Sequence, residues 1–79
     1  MDKKVFLLDK DYYSKEMVEN LTEKDLEEWV AEEDYNDNYT IIKIDANNYD
    51  SPEAAIDDEL GAMFCASPYE TYYIFAFGF

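Results

Sequence analysis

The chain contains no arginine, no histidine and a single cysteine, and it has only two glycines and two prolines. Each shortage closes off a class of chemistry. Without histidine, a serine or cysteine nucleophile lacks its usual base, and Cys65 sits in an apolar run, AMFCAS, that raises a thiol's pKa. One cysteine and no histidine cannot assemble a zinc site. Nor can Cys65 close an internal disulfide, so it reads as a buried thiol in a reducing compartment, with the cytoplasm as the expected location. Gly61 and Gly78 are too far apart to build a phosphate-cradling loop. No apolar run approaches the roughly 20 residues that span a bilayer, and the apolar run VFLL near the N-terminus is too short for the core of a signal peptide. The expectation is a protein that is not an enzyme, carries no metal or cofactor, and is neither exported nor membrane-bound.

What the chain does have is acid. Among its 79 residues, twenty aspartates and glutamates face six lysines, for a net charge of −14. Such a field repels nucleic acid and anionic membranes, and the missing arginine removes the usual bidentate phosphate reader, so direct nucleic-acid binding is disfavoured. A basic protein surface is what it attracts. Disorder is excluded by the 48% apolar and 18% aromatic content, which is ample to drive collapse, and the length suits one domain, 1–79, with a marginal core.

Hydrophobic periodicity divides the chain into a small α+β arrangement of about three strands with two or three helices packed on one face. Residues 4 to 9 (KVFLLD) form a strand apolar on both faces. Ser14 caps a helical turn over Lys15 to Leu21, with Met17, Val18 and Leu21 at helical spacing. Thr22 and Asp25 make a capping-box variant opening a longer helix whose inner stripe is Leu26, Trp29 and Val30. A second strand over 39 to 46 alternates Thr40, Ile42, Ile44 and Ala46 on one face with Tyr39, Ile41, Lys43 and Asp45 on the other. Lys43 and Asp45 imply that this second face meets water, which is the reason for placing the helices on one face only. Ser51 and Pro52 open another helix with Ile56, Leu60, Met63 and Phe64 at helical spacing; it either runs through Gly61 or stops at Leu60. Residues 69 to 79 (YETYYIFAFGF) form the last strand, read as the central one, with Tyr73, Phe75, Phe77 and Phe79 on one face. Tyr72, Ile74, Ala76 and Gly78 take the other, where the small residues invite a helix close to the backbone.

One metal motif needs weighing. Asp34, Asn36, Asn38 and Asp45 fall at positions one, three, five and twelve of a calcium-loop spacing. Tyr39 replaces the glycine of the sharp turn, aspartate stands where glutamate is required, and a strand follows where a helix belongs. An Asx-rich turn accounts for the same residues.

Two surfaces remain as functional candidates. The first is an acidic face made by Glu19, Glu23, Glu27, Glu28, Glu32, Glu33 and Asp34, joined by Asp57, Asp58 and Glu59 of the later helix. Its plain reading is solubility; its sharp reading is a surface for a basic partner, a nucleic-acid-binding protein above all. Carboxylates one helical turn apart lie roughly 5 to 6 Å from each other, near the ~7 Å between alternate phosphates of one strand. In size and composition alone the chain resembles small acidic inhibitors of restriction, CRISPR and other nucleic-acid enzymes. The second candidate is an aromatic association face, Tyr39, Ile41, Tyr73, Phe75, Phe77 and Phe79, which reads either as core or as the interface of a homodimer or partner subunit.

Overall fold

A computed structural model describes residues 2–32, 41–61 and 68–79. Its elements are β1 (Lys4–Asp9), α1 (Lys15–Val18), α2 (Glu23–Glu32), β2 (Ile41–Asp45), α3 (Pro52–Leu60), α4 (Pro68–Thr71) and β3 (Tyr72–Phe77). The three strands form one antiparallel sheet in the order β2-β1-β3. The α+β class and the three-stranded sheet are as the sequence implies.

The central strand is β1, not the aromatic β3. Val5, Phe6, Leu7 and Leu8 are all fully buried, because a strand paired on both edges and covered on both faces has no solvent-facing position for a polar residue. Each ring of β3 also seeks burial, yet β3 needs only one edge paired. Its strand begins at Tyr72 rather than at residue 69, since Pro68 opens the single helical turn α4; Lys10 N–H donates to the Thr71 carbonyl at 3.1 Å where that turn meets the sheet.

Register assigns the faces. Lys4 pairs with Asp45 and Phe77, Phe6 with Lys43 and Phe75, and Leu8 with Ile41 and Tyr73, so these share one side of the sheet. Val5, Leu7, Ile42, Ile44, Ile74 and Ala76 share the other. Phe6, Leu8 and Ile41 pack with Val18 of α1 and Leu26 of α2; Val5, Leu7, Ile44 and Ala46 pack with Ala55, Ile56 and Leu60 of α3. Helices therefore cover both faces, which corrects the expectation of one. β2 and β3 lie on opposite edges of β1, and the return between them carries α3 over the Val5 and Leu7 side, while α1 and α2, between β1 and β2, lie on the other. Lys43 and Asp45 are exposed, as the sequence implies, but an exposed charge on an edge strand does not exclude a helix over the same face. Lys43 reaches the helix above it, with its side chain 31% exposed and its ammonium 3.0 Å from Glu27.

The small end of β3 is likewise used differently. Ala76 is exposed, and it is the backbone of the N-terminal segment, not a helix, that approaches Gly78. Gly78 has φ +89°, and a Cβ there would lie 2.4 Å from the Asp2 carbonyl oxygen. Cys65, Met63 and Phe64 lie outside the described residues.

Candidate partner-binding surface

The α2 helix starts where the sequence implies. Thr22 N–H donates to Asp25 Oδ2 at 3.1 Å and Asp25 N–H donates back to Thr22 Oγ1 at 3.2 Å, a reciprocal cap with aspartate in the glutamate position. From that start, Leu26 faces the sheet and is buried, with Trp29 and Val30 half-buried beside it. The remaining positions carry acid apart from Lys24 and Ala31. Glu28 and Glu32 are exposed one turn apart, and Glu19, at the end of α1, is exposed as well. Glu33 and Asp34 lie outside the described residues.

Glu27 and Glu23 behave differently from their neighbours. Lys4 of β1 places its Nζ 2.8 Å from Glu27 Oε1, and Lys43 of β2 places its own 3.0 Å from Oε2, so one carboxylate ties α2 to two strands. The hydrogen bond from Lys4, then that from Lys43, holds the Glu27 carboxyl below its ordinary pKa; reciprocally, the bond to Glu27 raises that of Lys4. Glu23 stands 3.5 Å from the same Lys4 ammonium. Sequence reasoning counted Glu27 among the free acids because only α2's own lysine, Lys24, was visible; tertiary pairing brings the other two.

Four of the six lysines have a partner of some kind, although Lys10 and Lys43 remain exposed. Besides Lys4 and Lys43, Lys3 donates to the Tyr49 carbonyl at 3.1 Å and lies over the Phe79 ring at 5.4 Å. Lys10 donates to the Tyr69 carbonyl at 3.1 Å and lies over the Tyr73 ring at 5.3 Å.

The second acidic helix, α3, is capped by Ser51, whose Oγ accepts from Ala54 N–H at 3.2 Å, with Pro52 at the first helical position. Gly61 follows it in the right-handed helical region. Asp57, Asp58 and Glu59 are exposed. The Tyr49 hydroxyl donates to Asp58 and lies 3.2 Å from Glu59, and the Asp58 bond raises the phenol's pKa. Because α2 and α3 occupy opposite faces of the sheet, the acids predicted as a single face form two.

The ring set is not bare either. Ile41 is buried; Tyr73, Phe75 and Phe77 are half-buried against the Phe6 and Leu8 cluster, with Phe77 edge-on to Phe6 at 6.1 Å and 71°. Phe79 is 46% exposed, and Tyr39 lies outside the described residues.

Sequence reasoning missed a feature between α1 and α2. Met17, expected on an inner stripe, is 53% exposed, while Tyr13 stacks on Trp29 with ring centroids 5.4 Å apart and planes 20° apart. Together with Glu32 they line an open groove of about 190 Å³. No periodic signal marks it, because Tyr13 precedes its helix and reaches Trp29 only through the fold.

Among the described residues, no group of three acidic or cysteine side chains is placed to hold a metal ion, and no helix is long and apolar enough to cross a membrane. Most of the calcium-like spacing falls outside those residues; Asp45 is exposed at the end of β2. Set against known proteins, the chain matches no family model, no curated protein and no solved structure.

Proposed function

We propose that this chain is a non-catalytic acidic interaction protein of the cytoplasm that binds a basic surface of a partner protein. In its sharper form it is an inhibitor that occupies a cleft built for nucleic acid. One observation carries the reading: Lys4 and Lys43 are committed to α2 through Glu27 and Glu23, so the other acids exposed on α2 and α3 pair with no lysine among the described residues. Glu28 and Glu32 present that acid at one-turn spacing on α2, and Asp57, Asp58 and Glu59 present it on α3. Acid on opposite sides of a body 32 × 28 × 24 Å suits a partner that surrounds it, as a nucleic-acid cleft surrounds a duplex. The other reading, assembly of two copies through the rings of β3, loses support. Those rings pack inward, and pairing would double the negative charge.

The test uses the protein as bait at two salt concentrations. Partners retained at about 50 mM salt should be basic, and should be released at about 500 mM, where screening shortens the reach of charge to a few ångströms. Added DNA duplex should release them as well. Replacing Glu19, Glu28, Glu32 and Asp57 with their amides should leave the far-ultraviolet circular dichroism unchanged and abolish capture. Capture that survives both salt and the amide variant would reduce these acids to a solubility device.

A further inference from the structure

The groove between α1 and α2 has a composition that suits one kind of occupant. It is lined by the stacked Tyr13 and Trp29, the exposed Met17 and Glu32, one turn beyond Trp29 on the same side of α2. An apolar occupant would strip water from Glu32 and leave that charge unpaired. A nucleobase could stack on the rings, but its phosphates would meet Glu28 and Glu32. A cation on an apolar stem satisfies both parts. Its charge sits over a ring face and against the carboxylate, and its methylenes lie along Met17.

We infer that this groove receives an arginine side chain of the partner's basic surface. Arginine fits better than lysine because its planar guanidinium can lie on a ring while its fork of N–H donors meets the Glu32 carboxylate. The inference rests on the reading of the chain as a binder of basic surfaces and names the contact that would orient it. Distributed charge brings the partner close; the groove supplies a position.

Trp29 is the only tryptophan, so its emission reports the groove directly. The experiment titrates the full chain with three labelled peptides of alternating glycine and a second residue, which is arginine, lysine or citrulline. Peptide anisotropy and Trp29 emission are read together at low salt. The arginine peptide should bind and change Trp29 emission along the same curve, the lysine peptide should bind more weakly, and the citrulline peptide should leave both signals flat. Glu32→Gln, an exposed change, and Trp29→Leu, checked for folding by circular dichroism, should each weaken the arginine peptide roughly two- to fivefold. Two results overturn the groove while sparing the wider reading. One is arginine binding with unmoved Trp29 emission and unchanged affinity in Glu32→Gln; the other is equal binding and equal emission change with lysine. Failure of both basic peptides to bind overturns the wider reading and the groove with it.

Discussion

On the α2 side of the sheet the layer beneath the helix is made of rings and lysines, with Phe6, Phe75 and Phe77 flanked by Lys4 and Lys43. On the α3 side it is mostly aliphatic, with Val5, Leu7, Ile44 and Ala46 joined by the buried ring of Tyr72. That layer lets Ala55, Ile56 and Leu60 of α3 bury directly. Broad rings leave α2 with one fully buried residue, Leu26, and the polar Glu27 clamp supplements that contact. Ion pairs found among the described residues all end on α2. The difference teaches which acids are available. Glu27, above two lysines, becomes part of the fold, whereas the α3 acids pair with no lysine among the described residues, and Asp58 and Glu59 meet only the Tyr49 hydroxyl.

The largest expected effect tests whether the two layers stand or fall together. Phe6→Ala should cost about 3–5 kcal/mol and Leu7→Ala about 2–5 kcal/mol, each a large part of the stability of so small a domain. In urea, the unaltered protein should then lose its Trp29 emission signal and its circular dichroism in one transition, since β1 supplies the core of both faces. Two separated transitions would show that the faces melt independently.

A smaller effect belongs to the point where the N-terminal segment meets β3. Gly78→Ala forces a positive φ on a residue with a side chain and drives its Cβ into the Asp2 carbonyl, so a loss of about 1–3 kcal/mol is expected in thermal melts. Ala76→Ser, two residues earlier and exposed, should stay within about 0.5 kcal/mol of the parent. Equal melting of the two variants would mean that the close approach is not rigid.

The smallest effect sharpens the comparison most. Glu27→Gln should lower the melting temperature by a few degrees, while Glu28→Gln, which relieves repulsion with Glu32, should leave it unchanged or raise it slightly. The sign with pH follows from the depressed Glu27 pKa. Its contribution is complete above the ordinary value of 4.5 and disappears as pH falls through the lower folded value. The melting difference between parent and Glu27→Gln should therefore persist from about pH 7 to about pH 5 and close on further acidification. A gap that stays open in strong acid would assign Glu27 a packing role independent of its charge.

Much of this protein is legible in the sequence by itself because the signals are local. The Thr22–Asp25 and Ser51 caps, the Leu26, Trp29 and Val30 stripe, the apolar run of β1 and the alternation along β2 each depend on neighbours within one turn or one pleat. So does the acidity of the helices. What only the tertiary structure decided is how these pieces face one another. The fully apolar β1 is the central strand, although β3 has the richer aromatic content, because aromatic content alone does not say how many edges a strand pairs. The order β2-β1-β3, the helices on both faces, the lysines of two strands closing on Glu27 and the meeting of Tyr13 with Trp29 all join residues distant along the chain. Periodicity tells which side of an element is apolar, and it carries no information about which element will cover that side.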